Sequence, residues 1–472
     1  MVLAASALFA FFLLFAIDQF AGHRNPYVGI LAYVVAPAFF LAGIVLTVVG
    51  ALLQWRRERH AVRVAAPLTL KIDLSRPRDR KILGIFAIAS VGFLFVTALG
   101  SYQTYQYTES AQFCGQTCHL PMGPEAVTSQ QTAHARVECA SCHVGPGAAA
   151  YFKTKLNGVK QLYHTVRNDF DRPIRLTAAN PRPTQAICEQ CHWPKKYVGN
   201  VDRTFQHFLS DEKNTPFAVR LLLNVGGGDP ANGPQGGIHF HMNIANKIEY
   251  VATDDQLMEI PWVRITDPRG GVTEYRTAEF KGEPAKSRIR RMDCMDCHSR
   301  PAHKTRTPND AVDLALMTNR LDASIPWIKA RVVAALVQPY KTRAEAEQGI
   351  ANALRKDYPN PVQANPIIEE TQAIYRANFF PEVKSDWRTH PDFIGHKNWN
   401  GCFRCHDGKH VTADNKRSIK ASDCKSCHLI LAQGNPEGLQ KINAAGQEFV
   451  HIDAPYSDFS CADCHTGGPQ KE

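Results

Sequence analysis

Cys139-Ala-Ser-Cys142-His143 decides how this chain is read, because the pattern keeps returning. The same spacing recurs at Cys188/Cys191/His192, Cys294/Cys297/His298, Cys402/Cys405/His406, Cys424/Cys427/His428 and Cys461/Cys464/His465. A seventh copy, Cys114-Gly-Gln-Thr-Cys118-His119, carries one extra residue between its Cys. Together the copies use all 14 Cys of the 472 residues, which excludes a disulfide scaffold and a free catalytic thiol. A zinc site or a redox dithiol explains one Cys-x-x-Cys, but not seven with an adjacent His. The pattern is that of c-type haem attachment. Two thioether bonds fix each haem, and His119, His143, His192, His298, His406, His428 and His465 supply the proximal iron ligands. Seven covalently bound haem c groups are expected.

The rest of the composition is consistent with this. With 44% hydrophobic residues the chain is too apolar for disorder, and its length exceeds one ordinary domain. Three uncharged apolar runs open it: Met1–Ile17, Asn25–Trp55 and Ile82–Thr108. About 20 apolar residues span a bilayer, so the second and third qualify by length and the first is short. The first lacks the basic start and small-residue cleavage site of a signal peptide and is read as a retained helix. Nine Lys and Arg between Arg56 and Lys81 face only three acids, whereas the link after the first run holds Arg24 alone. That asymmetry puts the basic loop 54–81 and the N-terminus in the cytoplasm and everything beyond Thr108 outside. A basic loop between two membrane helices is a poor nucleic-acid patch, so no nucleic-acid partner is expected.

Residues 101–472 hold the seven motifs, about 53 residues per haem. The porphyrins are therefore expected to form much of the interior. Gly147–Val166 has helical spacing of Phe152, Leu156, Val159, Leu162, Tyr163 and Val166. The gap Trp193–Asp293 ends in strand-like segments at Lys247–Ala252, Trp262–Thr266 and Val272–Thr277, the last two flanking an Asp-Pro-Arg-Gly-Gly turn. Thr307–Phe380, without Cys or His, reads as several helices, one opened by the capping pattern Thr342-x-x-Glu345. The fold class expected is a mainly α multihaem cytochrome c of low regular structure, with three N-terminal transmembrane helices and a small β insertion.

Low-spin haem needs a sixth ligand, usually His here. Of 19 His, ten outside the motifs lie beyond residue 101. His134, His164, His303, His396, His410 and His451 are the distal candidates; His207, His239, His241 and His390 are weaker. On a strand His239 and His241 would share a face, so that one could bind iron.

Five segments carry a resemblance: Thr108-Glu-Ser-Ala-Gln-Phe-Cys114, Thr132-Ala-His134, Lys160-Gln-Leu-Tyr-His164, Cys188-Glu-Gln-Cys-His192 and Cys294-Met-Asp-Cys-His-Ser-Arg-Pro-Ala-His303. Together they resemble the NapC/NirT quinol dehydrogenases over residues 82–192 and 290–303. That family has one membrane helix and four haems; this chain adds helices, a long insertion and three haems. Its layout is similar to that of the seven-haem inner-membrane cytochromes of metal-reducing bacteria, the ImcH type. The organisation this suggests is a membrane domain (1–108), a four-haem domain (109–306) with insertion 193–293, a haem-free helical segment (307–390) and a three-haem domain (391–472).

The resemblance implies oxidation of membrane quinol, menaquinol or ubiquinol, and electron transfer to periplasmic cytochromes or reductases in anaerobic or extracellular respiration. It places the chain in the bacterial cytoplasmic membrane with its haems in the periplasm. It also implies a possible Met ligand at haem one, where Met122 follows His119 by three residues rather than the family's two. The family uses a Lys and an acid beside this haem; Lys153 and Lys155 lie on the matching helix, without a matching acid. The alternatives are a terminal reductase of a small acceptor, or a non-catalytic electron-transfer subunit of a larger complex or homo-oligomer. The region outside the membrane holds 44 basic and 40 acidic residues. Fourteen haem propionates would bring it to about −10, suiting a basic carrier met at haems five to seven.

Overall fold

The computed structural model describes residues 2–20, 31–58, 75–117, 119–144, 148–174, 184–192, 199–229, 233–242, 246–420, 424–452 and 461–469. Cys118 and most of the basic loop 54–81 lie outside them. The chain divides into two compact units, Met1–Cys114 and Gly115–Glu472.

The first unit contains α1 (Val2–Phe20), a π turn Leu31–Val35 leading into α2 (Ala36–Glu58), and the 33-residue α3 (Pro77–Glu109). Pro37 sits in the first turn of α2, where no backbone N–H is lost. Phe11, Ala32, Tyr33 and Ala36 are buried together, with Phe15, Phe93 and Val96 against them. Small residues let the backbones approach: a Cβ on Gly43 would lie 2.6 Å from Ala4 N, and one on Gly100 would run into the Tyr33 ring. Elsewhere Phe9, Phe12, Val45, Leu46, Ile88 and Phe95 face outward, the reverse of a water-soluble bundle. Among the described residues one helix, Leu31–Leu53, is long and apolar enough to cross a bilayer; the apolar stretch of α1, Leu3–Ile17, is shorter. Several side chains of α3 lie outside the described residues. The expectation of three membrane helices is thus met by one helix here.

The second unit begins with α4 (His119–Ser129), α5 (Cys139–His143), α6 (Ala148–Arg167) and α7 (Thr184–Cys188). A hairpin of β1 (Asn200–Phe208) and β2 (Pro216–Asn224) pairs antiparallel with the distant β9 (His428–Gly434) in the order β1-β2-β9. The ribbon β3 (Gly227–Asp229) and β4 (Gly233–Gln235) follows. β5 (Lys247–Val251), β6 (Trp262–Thr266), β7 (Val272–Arg276) and β8 (Arg290–Arg291) form a sheet in the order β7-β6-β5-β8. Its tight turn is held by Asp267, whose carboxylate accepts from Arg269 N and Gly271 N, both at 2.8 Å. The hairpin was not expected. β1 is exposed along most of its length and so has no alternation to read, and its sheet is completed by a strand more than 200 residues away.

Four helices follow: α8 (Pro308–Met317), α9 (Ile328–Leu336), α10 (Arg343–Asp357) and α11 (Pro361–Asn378). Thr342 caps α10 by accepting from Glu345 N at 3.2 Å, and Glu345 returns the contact to Lys341 N at 2.8 Å. Val312, Ile328, Val332, Leu336, Ile350 and Leu354 are fully buried. This ordinary hydrophobic core is larger than the expectation of a porphyrin-filled interior allowed, because the segment without haems must bury its own apolar faces. A short α12 (Cys461–Cys464) carries the last motif.

Candidate haem-binding sites

Each described motif starts a short helical turn. Within Cys-x-x-Cys-His, the backbone N–H of the His or second Cys returns to the first Cys carbonyl, as in His298 N to Cys294 O at 2.8 Å and His406 N to Cys402 O at 3.0 Å. The turn brings both thiols and the imidazole to one side. None of the thirteen described Cys is in a disulfide.

The decisive geometry is in the His rings. His134 stands opposite His192 with ring centroids 5.9 Å apart, and His143 opposite His303 at 6.0 Å. His239 faces His298 at 6.5 Å, His241 faces His406 at 5.9 Å, His396 faces His428 at 6.3 Å and His451 faces His465 at 6.0 Å. Every pair joins one motif His to one non-motif His. Two imidazoles binding one iron from opposite faces, each nitrogen about 2 Å away, place their centroids roughly 6 Å apart.

The outer nitrogens are arranged to match. His134 Nδ1 donates to Pro301 O at 3.2 Å, His303 Nδ1 to Glu125 O at 3.1 Å and His241 Nδ1 to Ile238 O at 2.8 Å. Such bonds fix the tautomer and leave Nε2 for a metal. The Nδ1 atoms of His396 and His428 are buried without a hydrogen-bond partner. Burial holds the rings of His239, His298, His303, His396, His406, His428 and His465 below the usual imidazole value. Neutral imidazole is the form that coordinates iron. These residues fit covalently held, doubly His-ligated haem.

The motif with residues 114–119 stands apart. Cys114 N donates to Ser110 O at 3.2 Å, so this motif continues directly from α3. The side chain of His119 lies outside the described residues; Met122 is half-buried on α4.

A family model, the N-terminal region of the NapC/NirT cytochrome c family, matches residues 76–181. The cytochrome c-type protein ImcH of Geobacter sulfurreducens is 36% identical over 483 residues, covering 98% of this chain and 92% of that protein. The chain belongs to the ImcH-like NapC/NirT cytochromes c. It is accordingly a membrane-anchored electron-transfer cytochrome carrying covalently bound haem c. No solved structure matches it.

In this ImcH-like cytochrome the non-motif His differ from expectation at two places. His410 is buried with both ring nitrogens facing acceptors, Asp407 Oδ1 at 2.8 Å and Ile260 O at 2.6 Å. Neither lone pair is open to a metal, which corrects the expectation of a distal ligand there. His164 bonds Asp169 at 2.9 Å, and no motif His faces it among the described residues. His239 and His241, read as weaker candidates, instead face motif imidazoles. The missed signal is conformational: they lie on a 3₁₀ turn, Ile238–Met242, rather than a strand. His207 is bonded to Asp313 at 3.0 Å in a cluster that Lys329 and Lys397 also join, so its charge is already balanced without a metal. Of the two expected quinol-site residues, Lys153 is exposed on α6 and the Lys155 side chain lies outside the described residues.

Proposed function

We propose that this cytochrome is a seven-haem quinol dehydrogenase of the bacterial cytoplasmic membrane. It takes electrons from menaquinol or ubiquinol and delivers them to periplasmic cytochromes or reductases in anaerobic or extracellular respiration. The observation that carries the reading is the order in which motif Cys side chains approach one another. Cys142 neighbours Cys191, Cys188 hydrogen-bonds Cys294, Cys297 neighbours Cys402 and Cys405, and Cys402 neighbours Cys427. Five motifs thereby follow one another without a gap, as a wire requires. When bound, haem c supplies reversible one-electron transfer at each motif.

The residues of the chain set the direction and the selectivity. His134/His192, His303/His143, His239/His298, His241/His406, His396/His428 and His451/His465 fill both axial positions of six haems. No coordination site is then open at those six to bind a small acceptor, which argues against a terminal reductase. Haem one, at Cys114, Cys118 and His119, is the quinol-facing group, with His164 and Met122 the two side chains proposed for its other axial position. Quinol releases two protons with its two electrons, and Lys153 and Lys155 are the polar groups proposed to assist. The three apolar runs span the membrane with the basic loop in the cytoplasm, and electrons leave through the motifs at 402–465.

The test is anaerobic mixing of detergent-purified full-length protein with menaquinol and ubiquinol analogues, followed by haem absorbance. Rapid reduction, slowed in Lys153→Ala and Lys155→Ala but unchanged with dithionite, is expected. Reduction by dithionite and by no quinol would leave the non-catalytic subunit reading in its place.

A further inference from the structure

We infer that His239 and His241, two residues apart on one turn, are axial ligands of two different haems, those attached at Cys294/Cys297 and Cys402/Cys405. The turn would then be the junction between the four-motif and three-motif parts of the chain. The inference rests on the haem reading above and assigns a role to the long insertion that separates the third and fourth motifs.

Ring geometry gives the first support. His239 lies against His298 with centroids 6.5 Å apart and planes at 23°, and His241 against His406 at 5.9 Å and 75°. A 3₁₀ turn has three residues per turn, so side chains at i and i+2 point in widely different directions. On a strand they would share a face and compete for one metal.

A second support is independent of the His rings. Arg404, between the two Cys of the fifth motif and 9% exposed, donates to Asp296 O at 2.5 Å, inside the fourth motif, and to Leu257 O at 2.8 Å. The two attachment loops are therefore tied together by a buried guanidinium.

The insertion holds the turn from both sides. Phe240, between the two His, packs on Ile248, Tyr250, Ile260 and Val263, a cluster that Cys405 also joins. His239 N donates to Val225 O at 2.9 Å. Gly237 opens the turn at φ +100°, and a Cβ there would lie 2.7 Å from Asn224 O, so no other residue fits.

The experiment uses full-length, haem-loaded protein with His239→Ala, His241→Ala and the double variant. Intact-chain mass gives the haem count, and electron paramagnetic resonance gives the spin state. Each single variant should keep every haem and convert one to high spin; the double should convert two, and added imidazole should restore the low-spin signal. His239→Met and His241→Met should remain low-spin and each raise the potential of one haem. Unchanged low-spin spectra and potentials in either pair of single variants, or a single conversion in the double, would overturn the inference. Peptide mapping of the unsubstituted protein separates the two failures: haem missing at Cys294/Cys297 or Cys402/Cys405 overturns the haem reading along with the inference, whereas haem present there with unmoved spectra overturns the inference alone.

Discussion

His410 and His303 have similar sequence surroundings, each placed four or five residues after a motif His, yet the structure treats them differently. His303 spends one nitrogen on Glu125 and turns the other toward His143, whereas His410 has both nitrogens committed to protein acceptors. The spectroscopic consequences differ accordingly. His134→Ala, His303→Ala, His396→Ala and His451→Ala should each turn one low-spin haem high-spin, read by electron paramagnetic resonance. His410→Ala should leave the low-spin count unchanged and instead destabilise the fold by about 1–3 kcal/mol, because Asp407 and the Ile260 carbonyl lose their partner. Denaturant midpoints check this. At this scale the motif residues were fully legible, since covalent attachment demands a fixed local pattern. Distal His were only partly legible, because which His meets which motif is decided by contacts such as Ile260 with His410, 150 residues apart.

The elements show where ordinary folding forces act. Strands β5, β6 and β7 could be read from alternation and a turn signal, and α6 and α10 from spacing and a cap. β1 could not, because it gains its place from β2 and from contacts of its end with α8 and α9. There Asp313, 4% exposed in its side chain, accepts from Lys329 at 2.6 Å, from His207 at 3.0 Å and from Phe208 N at 3.1 Å. Burial alone would raise the Asp313 carboxyl, but His207 and Lys329 hold it below the usual carboxylate range. A carboxyl depressed in the folded state contributes stability above its unfolded value of about 3.9, and this is lost as pH falls through the folded value. Asp313→Asn should cost about 3–5 kcal/mol at pH 7 by leaving Lys329 buried without its counter-charge. It should also flatten the acid limb of stability below about pH 4. Chemical denaturation at several pH values measures both. Leu354→Ala, in the core of the same helices, should cost about 2–5 kcal/mol with no effect on spin state.

For the whole molecule, the sequence foretold a membrane part followed by a haem-bearing part, because apolar length and Cys spacing are both local signals. It did not foretell how closely the C-terminal motifs interlock with the insertion. β9 completes the sheet of β1 and β2, Val411 bridges to Arg276, and Arg404 reaches the fourth motif. Electron exit near these motifs, with a net charge of about −10 outside the membrane, implies a rate of carrier reduction that falls as salt is raised. Stopped-flow reduction of a basic carrier cytochrome across ionic strengths checks this, and a salt-independent rate would point to exit elsewhere. The central claim, a seven-haem chain fed by quinol, is tested most directly by anaerobic titration of the purified full-length protein with a menaquinol analogue, counting electrons per chain from haem absorbance. The account predicts uptake approaching seven electrons per chain, matching dithionite, in line with the seven motifs. Full reduction by dithionite with none from quinol, or a total well below seven, would contradict it.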